Sequence, residues 1–253
     1  MKYHLTLFVI FFYILSGNTQ EMQPTLGKII DKNEQGEADF LAKRAEFDRL
    51  LDKIPADGST DNFTAREKEI FNSMTEVDPG YWEVIGGGCS WYCGGGPRKV
   101  TASSALKSSG DITYAAENAH DLSYKTAWVE GVEGQGVGES LTYHFAPESP
   151  RITKIIVVNG YVKSAAAWKN NSRVKKLKLF LNEKEIAVLH LADSKAEQSF
   201  TFSPLGNGDR ADFEKLKQQP AWTLRFEILE VYPGEKYEDT VITEIYFDGT
   251  DVH

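Results

Sequence analysis

The sequence has 253 residues, of which 41% are hydrophobic and 26% are charged, and its formal net charge is −9. This length and composition are typical of a globular protein with one large domain or two small ones. An acidic chain without a basic stripe is a poor partner for nucleic acid or an anionic membrane, so the composition argues against both.

The N-terminal segment has the pattern of a secretory signal peptide. Lys2 supplies a positive charge, a mostly apolar run follows over residues 5–15, and small polar residues come next. The run is short for a membrane-spanning helix. We therefore predict cleavage within residues 17–20 and a secreted, periplasmic or cell-surface protein. It would keep no membrane span once the signal peptide, residues 1–20, is removed; an uncleaved anchor is the alternative.

Residues 21–78 are predicted to form a polar segment followed by a pair of helices. The polar stretch, residues 21–37, is expected to be disordered. Apolar residues then recur at helical spacing over residues 38–54. A capping box at 64–67, Thr-Ala-Arg-Glu, opens a second helix that ends near residue 74. The pair either packs against the main domain or serves as a stalk.

Residues 79–97 form a glycine-rich segment that contains Cys89 and Cys93 within GGGCSWYCGGG. The two cysteines have no nearby histidine with which to complete a zinc site. Because export predicts an oxidising compartment, we expect a Cys89–Cys93 disulfide, worth about 2 kcal/mol for so small a loop. A pair of free thiols is the alternative. The CxxxC spacing is not that of a redox motif.

After residue 97 the apolar pattern changes to an alternation with a period of two, which is typical of strands. One short helical pattern interrupts it at residues 209–219. About eight short strands separated by turn signals predict a mainly β protein, with a jelly-roll β-sandwich over residues 98–253. The strand patterns lie at residues 100–106, 141–145, 151–159, 176–181, 186–191, 198–202, 222–228 and 241–247.

Six short motifs follow one another within residues 98–249. They are ASS at 102–104, NAHDLSYKTAW at 118–128, EGVEGQGVGE at 130–139, NGYVKS at 159–164, NNSRVKKLKLF at 170–180 and VYPGEKYEDTVITEI at 231–245. Through these motifs the chain resembles the discoidin-like, galactose-binding-like superfamily. Within it, the chain is most similar to the glycan-binding (translocation) domain of the NAD glycohydrolase type.

The resemblance implies a discoidin-like jelly roll and glycan binding. The NAD-cleaving activity of the related toxins belongs to a separate domain, which nothing in this sequence resembles. In discoidin-like domains the loop at 118–128 often holds a structural Ca²⁺ together with a glutamate of the last strand. The matching residues are Asp121, Thr126 and Glu244, whose oxygen atoms suit a hard cation.

The usual calcium loop has a glycine and a second acid after its first aspartate, whereas this chain has Leu122 and Ser123. Two expectations therefore stay open: a structural Ca²⁺, or an Asp121 that caps a turn and a Glu244 that makes a hydrogen bond.

Sugar sites combine an aromatic platform with charged or amide groups. Aromatic and hydrogen-bonding residues of this kind lie near predicted strand ends, so we expect a shallow site formed by loops at one end of the sandwich. Packing at the edge of the core is the alternative for each aromatic residue, and Trp128 is expected to be core. The candidate ligand-binding residues are Glu139, Tyr161, Trp168, Asn171, Arg173, Tyr232, Tyr237 and Asp239.

Other motifs give no sign of catalysis. GQGVG at 134–138 is followed by a strand rather than a helix, so its glycines are expected in tight turns and not in a phosphate loop. The histidines are scattered, His120 is expected at the surface, and no Gly-x-Ser-x-Gly elbow is present. We therefore predict an exported, non-catalytic carbohydrate-binding module that recognises glycans. The alternatives are a protein-interaction or surface-assembly module on the same fold and a hydrolase with an unfamiliar site.

Overall fold

The computed structural model describes residues 19–56, 58–74, 79–85 and 90–252. The predicted signal peptide, except for its last two residues, and Cys89 lie outside the described residues. Within the described part, 11 strands form the body of the protein. The strands are β1 (Gln20–Met22), β2 (Thr25–Ile29), β3 (Lys99–Ala102), β4 (Trp128–Val129), β5 (Ser140–Phe145), β6 (Ile152–Asn159), β7 (Ser172–Leu181), β8 (Lys184–His190), β9 (Ala196–Leu205), β10 (Trp222–Tyr232) and β11 (Thr240–Gly249). The helices are α1 (Glu34–Leu51), α2 (Ala65–Asn72), α3 (Ala165–Asn170) and α4 (Phe213–Leu216).

The strands are arranged in two layers, as in a jelly roll. The hydrogen-bonded order is β2-β9-β6-β11-β7-β10-β5-β3. The first four of these strands form one layer and the last four form the other, in which β8 also pairs with β7. The layers join where β11 runs parallel to β7 through two pairs only, Thr240 with Ser172 and Val241 with Arg173. The mainly β, discoidin-like jelly-roll fold is therefore confirmed.

Alternating side chains of facing strands fill the space between the layers. Along β5, Leu141, Tyr143 and Phe145 are buried while the residues between them are partly exposed. The rings of Phe145 and Trp222, which pair across β5 and β10, are buried in this core and stack with centroids 4.1 Å apart. The alternation seen in the sequence thus corresponds to the inner face of the sandwich.

The expectation that residues 21–37 are disordered is wrong. Strand β1 pairs in parallel with β8, and β2 pairs antiparallel to β9. Residues 20–30, which we name the N-terminal strap, thereby add an edge strand to each layer. All five residues of β2 are exposed, so no apolar alternation marks this strand in the sequence. Its backbone hydrogen bonds, rather than buried side chains, hold it in place.

The two predicted helices are present. Thr64 and Glu67 form the predicted capping box at the start of α2. The helices share a small core of their own, formed by Phe47, Leu50, Phe63, Ile70 and Met74. They also contact the sandwich, since Lys125 Nζ lies 2.9 Å from Glu37 Oε1.

The remaining helical segments are short. The pattern at 209–219 yields only α4, Phe213–Leu216, which Asp212 caps. The helix α3, Ala165–Asn170, was not predicted, and Ser164 caps it by accepting a hydrogen bond from Ala167 N. Among the described residues, no helix is both long and apolar enough to cross a membrane.

The structure does not support the predicted Cys89–Cys93 disulfide. Cys93 is an exposed, free cysteine, and Cys89 lies outside the described residues. Aromatic residues anchor this segment instead: Trp91 Nε1 donates to Arg151 O at 3.2 Å, and Tyr92 Oη accepts from Phe247 N at 2.9 Å. Hydrogen bonds to the sandwich, rather than a disulfide, thus hold this segment in place.

Candidate functional site

Several strand ends meet at one end of the sandwich. Tyr232, the last residue of β10, lies opposite Arg173 near the start of β7. The first residue of β11, Thr240, pairs with Ser172, and Gly160, just after β6, forms a bridge to Ile242. The loops at 160–171 and 233–239 therefore leave the sheets side by side. We call this the loop end.

A concave site of about 320 Å³, which we call the loop cleft, lies between these loops. It brings together four of the predicted ligand-binding residues: Tyr161, Asn171, Tyr237 and Asp239. The remaining lining residues are Leu106, Tyr114, Val129, Lys163, Ala167 and Asn170.

Buried polar groups hold the loop that carries Tyr161. The amide of Asn159 donates to Val174 O at 2.7 Å and accepts from Val174 N at 2.9 Å. Thr243 Oγ1 donates to Gly160 O at 2.6 Å, and Gly160 adopts a φ of +69°, which favours glycine. Tyr161 is only 6% exposed, so it forms a wall of the cleft rather than a free platform.

The loop at 233–239 presents the exposed aromatic ring of the cleft. Tyr237 is 43% exposed, while its backbone N donates to Asn170 O at 2.8 Å. A Cβ on Gly234 would clash with that same carbonyl, so a glycine is needed for this close approach. Asp239 O accepts from Ser172 N at 3.0 Å, which fixes the end of the loop beside the cleft.

The polar side chains of the loop cleft provide both donors and acceptors. Asn171 Nδ2 donates to Ala167 O at 2.8 Å at the end of α3. The ammonium of Lys163 lies 4.4 Å from the centre of the Tyr161 ring. Asp239, an acidic residue, also lines the cleft. An aromatic ring, a cation, a carboxylate and an amide therefore surround one concavity.

Arg173 is a positioning residue rather than a lining residue. Its guanidinium makes a two-pronged ion pair with Asp193, at 2.7 and 3.1 Å, and donates to the carbonyls of Trp168 and Asn171 at 3.3 and 2.9 Å. It also lies 4.5 Å from the Trp168 ring. Because Arg173 is only 7% exposed and these bonds engage its guanidinium, it holds the end of α3. Trp168 packs with it outside the loop cleft.

Two other predicted residues lie away from the loop cleft. Tyr232 Oη donates to Leu191 O at 3.0 Å, and Glu139 Oε2 accepts from Ser103 Oγ at 2.5 Å. Lys163 and Tyr114 are lining residues that the prediction missed. Lys163 belongs to the NGYVKS motif, so this motif could have identified it. No pattern in the sequence singles out Tyr114.

The glycine-rich loop at 131–138 wraps around a buried carboxylate. Glu130 accepts hydrogen bonds from Val132 N at 2.9 Å and Thr240 N at 3.1 Å, and burial raises its pKa. Three glycines of the loop have positive φ, as the prediction of tight turns requires: Gly134, Gly136 and Gly138.

The three predicted calcium ligands lie together. Asp121 accepts from Thr126 Oγ1 at 2.6 Å, and Ser123 N donates to both Asp121 at 3.1 Å and Glu244 at 3.0 Å. Glu244 is fully buried, and its second oxygen, Oε2, has no hydrogen-bond partner. Leu122, where the usual pattern has glycine, adopts a φ of +60°.

The donor chemistry of this loop fits a hard cation. Burial and the adjacent Asp121 carboxyl raise the pKa of Glu244 well above its usual range, and a cation beside the unpartnered Glu244 Oε2 would favour its charged form. If Ca²⁺ binds, Asp121, Thr126 and Glu244 would hold it. The described residues contain no cluster of three or more acidic, histidine or cysteine side chains suited to a metal. Calcium therefore stays a prediction.

Trp128 belongs to the core, and the half-buried His120 packs against that core. The expectation that His120 lies at the surface is wrong: its ring contacts Tyr143 and Phe247, with centroids 5.4 and 5.5 Å apart, and burial lowers its pKa. Trp128 is fully buried as expected, and its Nε1 donates to Ser104 O at 2.9 Å.

The fold and its loop end define a protein of the discoidin-like, F5/8 type C class. Residues 91–248 match the family model described as the NAD glycohydrolase translocation F5/8 type C domain. The chain therefore belongs to this family, which confirms the resemblance found in the sequence. A comparison with curated proteins finds no match.

Solved structures with a similar fold are distant in sequence. CpGH89CBM32-5 from Clostridium perfringens, in complex with GalNAc-β-1,3-galactose, is 17% identical with a TM-score of 0.41, and the match covers 60% of this chain and 94% of that one. The CBM32-1 and CBM32-2 domains of Clostridium perfringens ZmpB are 10% identical with a TM-score of 0.43, over 74% and 39%. A Ruminococcus gnavus GH29 fucosidase in complex with fucose is 11% identical with a TM-score of 0.35, over 60% and 25%. These similarities are too distant to assign a ligand.

Proposed function

We propose that this protein is an exported, non-catalytic carbohydrate-binding module that holds a sugar in the loop cleft. One observation carries the proposal: the exposed ring of Tyr237 lies in the same concave site as Asn171 and Asp239. Sugars present apolar C–H faces beside hydroxyl groups, and sites of this composition match both.

Four of the lining residues would contact the sugar directly. The Tyr237 ring would cover an apolar face of the sugar. The Asp239 carboxylate and the Asn171 carbonyl oxygen would accept hydrogen bonds from hydroxyl groups, and Lys163 would donate one. Because the cleft is small and open, the affinity of a single module is expected to be weak, on the order of micromolar to millimolar.

A protein-interaction module is the alternative on the same fold. A flat apolar patch at the loop end would favour a protein partner. The loop cleft is instead concave and mixes charged, amide and aromatic side chains, and this composition favours a glycan.

The proposal predicts a selective effect of the Tyr237 ring. Replacing Tyr237 with alanine removes the platform without disturbing the core, so we expect at least a roughly tenfold loss of glycan affinity, the size expected for about 1.4 kcal/mol of lost contact. A glycan array followed by titration calorimetry measures this. GalNAc-β-1,3-galactose and fucose, the sugars in the neighbouring structures, are included among the probes.

Phe213→Ala is the matched control, since Phe213 is a 55% exposed aromatic residue on α4, outside the loop end. It should leave glycan affinity unchanged. If the unmodified protein binds no sugar on the array, or if both variants lose affinity equally, the proposal is wrong.

A further inference from the structure

The loop cleft continues into a second and larger concavity. This outer cleft has a volume of about 750 Å³, and Tyr161 and Lys163 line both clefts. Its other walls are the start of α1 around Gln35, the turn carrying Asp111 and Ile112, and the loop around Thr126. A ligand that passes Tyr161 can therefore contact both clefts at once.

We propose that the two clefts form one groove for an oligosaccharide, with one sugar in the loop cleft and the neighbouring sugars in the outer cleft. This inference rests on the proposed glycan binding and extends it from a single sugar to a chain. Both volumes fall in the range of about 300 to 1,000 Å³ that is usual for ligand sites. A single sugar in the loop cleft would leave the larger volume unfilled.

The outer cleft has the composition of a sugar site. Ile112 is 44% exposed at its wall, on a turn closed by reciprocal hydrogen bonds of 3.0 and 3.1 Å between the backbones of Ser109 and Ile112. Gly110 adopts a φ of +59° within this turn. The turn thus presents the apolar side chain of Ile112 beside the carboxylate of Asp111. A sugar could pack an apolar face on Ile112 and donate a hydrogen bond to Asp111.

The N-terminal region supplies one wall of the groove and is held firmly against the sandwich. Ile30 N donates to Lys195 O at 3.1 Å, and Lys195 Nζ pairs with Asp31 at 3.0 Å. Lys125 Nζ pairs with Glu37 at 2.9 Å. The family match begins at residue 91, so this wall comes from outside the matched region.

The groove predicts that affinity grows with the length of the glycan. The probe is an array that displays galactosides, N-acetylgalactosaminides, fucosides and sialosides, each as a mono-, di- and tetrasaccharide. In at least one series the unmodified protein should bind the tetrasaccharide roughly tenfold more tightly than the monosaccharide. Ile112→Asp and Asp111→Ala should each reduce the tetrasaccharide signal towards that of the monosaccharide and leave the monosaccharide signal unchanged.

The control is Ile29→Asp, because Ile29 is 70% exposed on β2 and lies outside both clefts. Thermal melts that coincide with the unmodified protein show that the variants are folded. Equal binding of mono- and tetrasaccharides, or no selective effect of either variant, overturns the groove while the proposed function stands. No binding in any series overturns both.

Discussion

Among single residues, Glu130 shows most clearly how a buried carboxyl organises the loop end. Its side chain holds the glycine-rich loop against β11 through Thr240 N. Burial raises its pKa, and the neighbouring carboxylates of Asp239 and Glu139 raise it further. A buried carboxyl group whose pKa is raised in the folded state favours the fold when it is protonated.

Glu130 should therefore make stability depend on pH. The folded-state pKa is raised, so the stabilisation is complete below the unfolded value of about 4.3 and is lost as the pH rises through the folded-state value. Glu130→Gln cannot titrate at this position, so the unfolding free energy of the unmodified protein should fall relative to that of the variant as the pH rises from about 4 through the raised folded-state pKa. Urea denaturation measures this free-energy difference. Glu133→Gln, in an exposed position of the same loop, is the control variant. If the free-energy difference for Glu130→Gln changes with pH no more than that of the control, this role of Glu130 is contradicted.

The pair formed by Asp121 and Glu244 makes a second prediction at this scale. If the pair holds Ca²⁺, millimolar CaCl₂ should raise the melting temperature of the unmodified protein, because a ligand that binds only the folded state stabilises it. Asp121→Asn should abolish this rise, whereas MgCl₂ of equal ionic strength should have little effect. If neither CaCl₂ nor a chelator changes the melting temperature, the alternative is favoured, in which Asp121 caps a turn and Glu244 makes a hydrogen bond.

Among the elements, the N-terminal strap is the one that the sequence did not reveal. It closes the edges of β8 and β9, and Ile30 at its end is buried against Trp82 and Tyr124. Exposed strand edges are prone to pairing with other chains. The strap therefore completes both layers of the sandwich.

Deleting the N-terminal strap should lower stability and promote association. We expect a chain that begins at residue 31 to melt at a lower temperature and to elute partly as oligomers in size-exclusion chromatography. A chain that begins at residue 19 is the control. Identical melting and elution of the two would show that the strap adds nothing to the fold.

The elements that the sequence predicted well are those whose side chains alternate between core and solvent. Strands β5 and β10 are of this kind, with every second residue buried over most of their length. Strand β2 is exposed throughout, and α3 is only six residues long, so neither carries a periodic signal. The backbone pairing that stabilises β2 is made with residues far away in the chain.

The candidate site was likewise predictable only where a local sequence motif marks its residues. The motifs identified Tyr161, Asn171, Tyr237 and Asp239, which share the loop cleft. They also suggested Arg173, but its partner Asp193 lies on a different segment, and that ion pair turns Arg173 into a support for α3. A long-range pairing of this kind cannot be read from the spacing of residues.

At the scale of the whole molecule, the sandwich and the N-terminal region act together. The boundaries predicted at residues 78 and 97 separate segments that the structure shows in contact, through the strap and through the pairing of Glu37 with Lys125. The proposed groove uses both parts, since α1 and the loop end line its outer cleft. Export and localisation at the cell surface stay predictions of the N-terminal sequence.

The central claim is that glycans bind at the loop end, and a titration followed by NMR tests it most directly. The ¹⁵N-labelled protein would be titrated with the strongest-binding glycan of the array. We predict that the backbone amides that shift lie in the loops at 160–171 and 233–239, with Tyr237 among them. Shifts confined to the N-terminal strap or to α4, or no shifts at all, would contradict the claim.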